Sequence, residues 1–241
     1  MILRDEEELL PRALESVAPL VSQMVCGIDS RTTDSTRAIA SRFGAEVFDF
    51  EWVDSFSAAR NLTIERATGD WVLVIDADDV LLPFGQRVIP RVLGAPAHNG
   101  YMFSIDEVMS SAGVMQTGVT SVRLFPCSPR YRYVGRVHEQ VTCDGRPIAV
   151  VAQVGPGSAM QHCGNDPLVY AKRGKRELHT RLLLLDWQER HSSYTAGQLA
   201  LQYAHDGKWT EASRWARTAT SASEPLAEWM RGPIGQLAAV A

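Results

Sequence analysis

The segment that decides the fold is residues 69–79, with the sequence Gly-Asp-Trp-Val-Leu-Val-Ile-Asp-Ala-Asp-Asp. Five apolar residues run without alternation from Trp71 to Ile75, which is typical of a strand buried on both faces of a parallel sheet. Three carboxylates then follow within four positions. Ligands of open α/β sheets bind beyond the carboxyl ends of the strands, so these acids indicate a site. Aspartates at alternate positions can share a hard divalent cation, although a strand ending in a polar turn gives the same pattern.

The composition indicates an ordinary soluble globular protein. Of 241 residues, 45% are hydrophobic and 22% are charged, and the net charge of −4 gives no general reason to expect a nucleic-acid partner. No apolar run approaches the roughly 18 residues of a membrane span, and the acidic start is unlike a secretory signal. The four cysteines form no Cys-x-x-Cys pair, which favours reduced thiols and a cytoplasmic location.

The first 79 residues alternate between strand and helix patterns. The predicted strands are 1–4, 21–28, 45–50 and 71–75. The predicted helices between them are 6–17, 35–43 and 55–67, with Pro11 in a first turn and Gly44 and Gly69 as stops. This β-α-β-α-β-α-β order predicts an α/β fold with a doubly wound parallel sheet.

Beyond Asp79 the pattern changes twice. Residues 101–108, 119–125, 133–141 and 148–154 are predicted to be strands that add antiparallel pairs and loops at one edge of the site. From Pro167 onward the chain is predicted to be helical, over 168–190, 194–205, 209–221 and a fragment from Leu226. The small and apolar residues between Leu199 and Ala219 follow the spacing of one tetratricopeptide unit, which needs a packing partner.

Several short segments resemble, in the same order, the motifs of one branch of the family-two glycosyltransferases. They are Met1 to Glu7; Asp29 to Thr36; Trp52, Phe56, Arg60 and Asn61; Asp76 to Asp79; Arg123 to Phe125; Gly135 to Glu139; and His162 with Gly164. The resemblance covers about residues 1–190. It implies a GT-A-type mixed sheet, a nucleotide-sugar donor and a divalent cation, Mn²⁺ or Mg²⁺. Several members of the branch carry tetratricopeptide repeats behind the catalytic domain.

The resemblance also implies roles for the acidic segment. Asp78 would be the direct metal ligand, Asp76 would contact the ribose of the donor, and Asp79 would help to orient the site. His162 is similar in position to a late histidine that completes the metal or phosphate contacts. A buried histidine bonded to a backbone carbonyl is the structural alternative for His162.

Four further residues are expected near the nucleotide. By resemblance, Asp29 would accept a hydrogen bond from the base, and Arg60 could contact the base or a phosphate, although a helix-capping aspartate and a solvated arginine are the structural alternatives. Asp5 stands where the family has asparagine, and Arg31 stands where a glycine is usual. Both departures bear on base recognition more than on the fold.

An inverting transfer needs a base that takes the proton of the acceptor. Glu139 is the preferred candidate, and His138 is the competitor because an unperturbed histidine titrates near neutral pH. Either residue could instead brace its loop through an ion pair with Arg123 or Arg136.

Together these observations predict a metal-dependent inverting glycosyltransferase that uses a nucleotide diphosphate sugar, in particular a UDP-sugar. The predicted domains are 1–166, which would bind the donor and catalyse transfer, and 167–241, a helical extension with one tetratricopeptide-like hairpin. The acceptor would be a peptide, a protein or a saccharide, and the helical tail could form a homodimer. The alternatives are a nucleotidyltransferase that makes nucleotide sugars and a non-catalytic tetratricopeptide adaptor.

Overall fold

The computed structural model describes residues 1–94, 100–109, 113–148, 152–153, 157–164 and 174–239. The chain divides into two compact units. The first unit comprises Met1–Val134 and Glu139–Arg173, and the second comprises Gly135–His138 and Gly174–Ala241. The predicted boundary between residues 166 and 167 lies outside the described residues and stays a prediction.

The first unit begins with a three-stranded parallel sheet of order β1-β2-β3. Its strands and the helices between and after them are β1 (Ile2–Leu3), α1 (Leu10–Val17), β2 (Val25–Asp29), α2 (Thr36–Arg42), β3 (Glu46–Phe50) and α3 (Phe56–Ile64). Apolar positions along α1 explain its packing, since Leu10, Leu14 and Val17 are all buried. Ser55 caps α3, because its Oγ accepts the Ala58 N–H at 3.2 Å. The predicted strand-helix alternation is confirmed over this part of the chain.

The second sheet has six strands and mixed direction. Its strands are β4 (Trp71–Leu73), β5 (Asp79–Leu81), β6 (Tyr101–Met109), β7 (Gly113–Pro126), β11 (Ala152–Gln153) and β12 (Met160–His162). The hydrogen-bonded order is β4-β7-β6-β12-β5, with β11 paired to β6. A helix that the sequence patterns do not predict, α4 (Pro83–Leu93), follows β5.

The predicted central strand and continuous parallel sheet are wrong in two respects. The strand ends at Leu73 instead of Ile75, and it pairs antiparallel with β7. Strand β1 pairs with β2, whereas β4 belongs to the second sheet. A cavity of about 270 Å³ is lined by residues of both β2 and β4. The α/β class is nevertheless confirmed, because parallel and antiparallel pairs together form a mixed arrangement.

A third sheet of order β10-β9-β8 replaces the single strand expected over residues 133–141. Its strands are β8 (Tyr131–Val134), β9 (Gln140–Cys143) and β10 (Arg146–Pro147). That expectation is wrong because residues 135–139 form no strand and separate β8 from β9. Most of the predicted strand 148–154 lies outside the described residues.

The described part of the second unit consists of four helices with short connections, together with Gly135–His138. Its helices are α5 (Lys175–Arg190), α6 (Ser193–His205), α7 (Trp209–Ser221) and α8 (Glu228–Ala239). Leu199, Ala212, Ala216 and Ala219 are all buried, as the apolar spacing of the predicted hairpin requires. The predicted helices are therefore confirmed, except that residues 168–173 lie outside the described residues. Among the described helices, none has the length and apolar character needed to cross a bilayer.

Candidate functional site

The acidic segment lies between two strands of the mixed sheet. Asp76 and Asp78 follow β4, and Asp79 is the first residue of β5. Strand β5 pairs antiparallel with β12 in a register that sets His162 opposite Asp79. Paired residues on adjacent strands have neighbouring side chains, so this register brings a histidine 83 positions away to the acids.

Asp78, Asp79 and His162 form a group that could hold a metal ion, because one ligand atom of each lies within 4.8 Å of the others. The His162 Nδ1 lies 2.8 Å from Asp79 Oδ1 and 3.6 Å from Asp78 Oδ1. The Asp79 side chain is fully buried, whereas that of Asp78 is 12% exposed. Two carboxylates and an imidazole are ligands that Mn²⁺ and Mg²⁺ accept or tolerate.

Gly164 allows the side chains of Asp78 and His162 to pack close to its backbone. A Cβ atom at position 164 would lie 1.8 Å from Asp78 Oδ2 and 2.9 Å from His162 Nε2. Both atoms therefore lie so close to residue 164 that only a glycine fits there. The backbone supports this arrangement, since the Cys163 N–H donates to the Asp78 carbonyl at 2.9 Å.

The hydrogen bond to Asp79 orients the imidazole of His162. A carboxylate only accepts, so His162 Nδ1 donates its proton to Asp79, and Nε2 is directed to the space beside Gly164. Burial disfavours the charged imidazole, but the Asp79 hydrogen bond and the Asp78 and Asp79 charges outweigh it and raise the pKa of His162. Asp79 thus contacts His162 directly.

A second cluster joins two arginines to the neighbouring acids. Arg60 of α3 donates to both oxygens of Asp76, at 2.8 and 3.2 Å, and its Nε donates to Glu139 Oε1 at 2.5 Å. Arg123 of β7 lies 3.0 Å from Asp76 Oδ2 and 3.3 Å from Asp79 Oδ2. This cluster links the segment after β4 to Glu139, which is the residue that follows Gly135–His138.

The charges of this cluster fix the protonation of its members. Burial opposes ionisation of Asp76, but the Arg60 and Arg123 guanidinium groups outweigh it and hold the pKa of Asp76 well below its usual range. Tyr133, whose ring lies 5.5 Å from the Arg60 guanidinium carbon, has its pKa raised to about 12, mainly by burial. Asp76 is therefore ionised and Tyr133 neutral at physiological pH.

Asp29 ends β2 and is paired with a residue two positions later. Its carboxylate accepts the backbone N–H of Arg31 at 3.0 Å and the Arg31 side chain at 2.9 and 2.5 Å. The Arg31 guanidinium carbon also lies 5.7 Å from the centroid of the Trp52 ring. Burial opposes ionisation of Asp29, but the Arg31 hydrogen bonds and charge outweigh it and lower the pKa of Asp29.

Asp5 connects the amino-terminal segment to the loop after β2. Its Oδ1 accepts the Thr33 N–H at 2.8 Å, and Asp5 itself has a φ of 51°, which L-residues rarely adopt. The same loop holds Asp34, whose carboxylate accepts the Thr36 N–H at 2.9 Å at the start of α2. Asp34 therefore forms a local side-chain-to-backbone bond just before the Ser35 N-cap position of α2.

The two candidate bases lie in different environments. Glu139 is 11% exposed and forms an ion pair with Arg60. The ion-pair partners expected from the sequence were Arg123 and Arg136. His138 is exposed, belongs to the second unit and has a ring centroid 5.3 Å from that of His179. Burial, with the nearby His138 and Lys175 charges, lowers the pKa of His179 to about 4.

Sequence reasoning assigned no role to Tyr133 or Gly164, and it considered Arg123 only as an ion-pair partner of Glu139 or His138. Arg123 and Gly164 stand inside segments that carry the family resemblance, so the signal was present. Their contacts depend on how β7 and β12 pair, which the local sequence does not report.

One protein family matches the first part of the chain. Residues 1–109 match the family Glycosyl transferase family 2. This range contains the acidic segment, Asp29, Arg60 and Asp5, and it stops before Arg123, Glu139 and His162.

Three relatives illustrate the similarity. A TPR repeat-containing protein of Synechococcus elongatus is 32% identical over 234 residues, which are 93% of this chain and 56% of that protein. The SPbeta prophage-derived glycosyltransferase SunS of Bacillus subtilis is 31% identical over 145 residues, covering 58% of this chain and 33% of SunS. An uncharacterized glycosyltransferase of Rickettsia felis is 33% identical over 102 residues, covering 42% of this chain and 35% of that protein.

The chain thus spans between a third and just over half of the length of these relatives. Among solved structures, the crystal structure of S. aureus TarS 1-349 is similar with a TM-score of 0.48 and 12% identity, over 90% of this chain and 79% of that one. The family match and the glycosyltransferase relatives support a glycosyltransferase.

Proposed function

We propose that this chain is the catalytic part of a family-two glycosyltransferase that moves a sugar, with inversion and with the help of a divalent cation, from a UDP-sugar. One observation carries the proposal. Ligand atoms of Asp78, Asp79 and His162 lie within 4.8 Å of one another, and the close approach of Asp78 and His162 to residue 164 is possible because that residue has no side chain. In a chain whose first 109 residues match this family, such a group of ligands fits a cation that binds the donor diphosphate.

Asp78 and His162 would hold the cation, and Asp79 would act through His162. Asp79 fixes the direction of the imidazole by accepting from Nδ1 at 2.8 Å, which is the usual role of a carboxylate behind a metal-binding histidine. A bound Mn²⁺ or Mg²⁺ supplies Lewis-acid stabilisation of the diphosphate leaving group. Arg60 and Arg123 lie beside these acids and already balance the charge of Asp76.

The nucleoside of the donor is proposed to bind between Asp29 and Asp76. Asp29 keeps acceptor capacity beyond its Arg31 contacts, because an ionised carboxylate offers about four lone-pair sites. It would accept from the base, with Arg31 beside it. Asp76 would accept from the ribose while its Arg60 and Arg123 ion pairs keep it ionised.

Glu139 is proposed to accept the proton of the acceptor hydroxyl as that oxygen attacks the anomeric carbon. Its Oε1 accepts from Arg60, which fixes the carboxylate and leaves lone pairs of both oxygens for the acceptor. His138 remains the competing candidate. The acceptor is proposed to be a peptide, a protein or a saccharide, the protein is proposed to act in the cytoplasm, and its helical tail is proposed to form a homodimer.

The test combines binding and turnover. UDP-glucose and UDP-N-acetylglucosamine are added with and without Mn²⁺, and thermal shift and hydrolysis of the donor are measured. We expect stabilisation and slow hydrolysis that both require the metal, and their loss in Asp78→Asn. Asp144→Asn is the matched control, since Asp144 lies in an exposed turn and is paired with Arg130.

Two results would contradict the proposal. Release of pyrophosphate from UTP and a sugar phosphate would indicate nucleotidyl transfer. Absence of any metal-dependent shift or hydrolysis with every donor would favour a non-catalytic adaptor.

A further inference from the structure

The segment Gly135–His138 leads directly into Glu139 and has no regular secondary structure. Gly135 has a φ of 100° and His138 a φ of 50°, so two of its four residues lie in the left-handed region. His138 carries a side chain in that region, which is unfavourable unless the surroundings fix it. The conformation of this segment therefore depends on contacts made from outside it.

Those contacts come from the helical unit, and the central one is a buried carboxylate. Asp186 of α5 is 2% exposed, and its Oδ1 accepts the backbone N–H of Arg136 at 2.9 Å. The same carboxylate accepts from the Arg190 guanidinium at 2.6 Å and from the Thr195 hydroxyl at 2.6 Å. Because these three groups surround it, Asp186 is a fixed acceptor for the segment.

Further contacts hold both ends of the segment. The Arg136 guanidinium donates to Glu189 at 2.5 and 3.1 Å, and the Tyr194 hydroxyl donates to the His138 carbonyl at 3.3 Å. The side chain of Val137 is buried, with 5% exposure. Arg136 and the His138 carbonyl are thus both bound by residues of α5 and α6.

We propose that Asp186 is a positioning residue for Glu139. Asp186 holds Arg136, and the fixed segment places the Glu139 carboxylate where its Oε1 meets Arg60 Nε at 2.5 Å. The catalytic part of this inference rests on the proposed role of Glu139 as base. The claim that Asp186 fixes the position of Glu139 does not rest on that role, since the Arg60–Glu139 contact can be measured whether or not the protein is active.

The experiment compares three variants of the full chain. Asp186→Ala removes the acceptor, and Asp186→Asn keeps an acceptor oxygen of similar reach. Leu199→Ala is the matched control, because Leu199 is fully buried in α6 and its truncation weakens the same unit without removing a bond to the segment. The Arg60 Nε–H resonance, assigned by its loss in Glu139→Gln, reports the contact, and hydrolysis of UDP-glucose with Mn²⁺ gives kcat and KM.

In Asp186→Ala we expect the Arg60 Nε–H resonance to shift or broaden. We also expect kcat to fall about ten- to hundredfold, as misplacement of a catalytic group by about 1 Å can cause, with KM within about twofold. Asp186→Asn and Leu199→Ala should keep the resonance and most of kcat. An unchanged resonance in Asp186→Ala, or a kcat no lower than that of Leu199→Ala, would overturn the proposal. If the unmutated chain hydrolyses no donor, the proposed function fails, and the resonance alone decides whether Asp186 positions Glu139.

Discussion

Substitution of Gly164 by alanine tests the metal site at the point where the structure is most specific. The new Cβ would lie 1.8 Å from Asp78 Oδ2 and 2.9 Å from His162 Nε2. Cβ atoms essentially never come within 3.0 Å of another heavy atom, so the Asp78 carboxylate must move by at least about 1 Å. Its side chain is 12% exposed and can rotate, so we expect the fold to survive.

The expected loss of metal affinity follows from the displacement of Asp78, a proposed metal ligand. Disturbing the residues that orient metal ligands typically costs about 10–100-fold in metal affinity, which corresponds to about 1.4–2.7 kcal/mol. The same free energy should be missing from the stabilisation that saturating Mn²⁺ and UDP give to the unmutated protein. Stability without metal should change little.

The assay is a titration of Mn²⁺ followed by the electron paramagnetic resonance of the free ion, together with thermal shift. Gly157→Ala is the matched control, because a Cβ there would meet the Phe84 ring at 3.6 Å, an ordinary contact. We expect the control to bind Mn²⁺ as the unmutated chain does. Equal Mn²⁺ affinity in Gly164→Ala would show that Asp78 and His162 do not hold a metal beside residue 164.

Three further predictions concern the base, the ion pairs and the tail. Glu139→Gln should lower transfer about 10²–10⁴-fold while donor affinity is kept, and steady-state kinetics beside His138→Gln will show which residue is the base. Turnover within a few-fold of the original would exclude Glu139. Because the pKa of Asp76 is depressed, its ion pairs stabilise the fold above about pH 4 and are lost as the pH falls toward its folded-state pKa. Asp76→Asn should lower the free energy of unfolding by on the order of 3 kcal/mol at pH 7, and it should weaken the fall of that free energy at acidic pH, as measured by urea unfolding from pH 2.5 to 7. Parallel curves of unfolding free energy against pH for the two proteins would contradict this. Trp209, 58% exposed, should contribute to a dimer, so Trp209→Ser but not Val53→Ser should lower the mass found by light scattering, and a monomer throughout would refute the tail contact.

The tryptophans of the tail show how burial separates residues that the sequence treats alike. From the sequence alone, each of Trp209, Trp215 and Trp229 could belong to the core or to a contact surface. In the structure Trp215 is buried, and its ring centroid lies 5.3 Å from that of Trp187, while Trp209 and Trp229 are each 58% exposed. The helical period alone could not make this distinction, because it does not show which side of a helix another helix covers.

Two elements were missed or misjudged for reasons of local chemistry. Helix α4 contains Gly85 and Pro90, residues that usually argue against a helix interior. The ideal Cβ at Gly85 would lie 2.5 Å from the Ala159 carbonyl oxygen, so the glycine allows close packing that the sequence cannot reveal. Similarly, the apolar run 71–75 continues past the end of β4, because Val74 and Ile75 are buried without being in a strand.

The sequence by itself determined the alternation of strands and helices, the helical tail and the acidic segment at residues 76–79. These features follow from apolar periodicity, capping residues and turn residues, which act over a few positions. Only the tertiary structure decided which groups meet, such as Asp79 with His162 and Arg60 with Glu139, separated by 83 and 79 positions. Whether such groups come into contact depends on strand register and on how the loops are held. A shift of one residue in register turns every side chain of a strand to the opposite face of the sheet, and no local sequence pattern encodes the register.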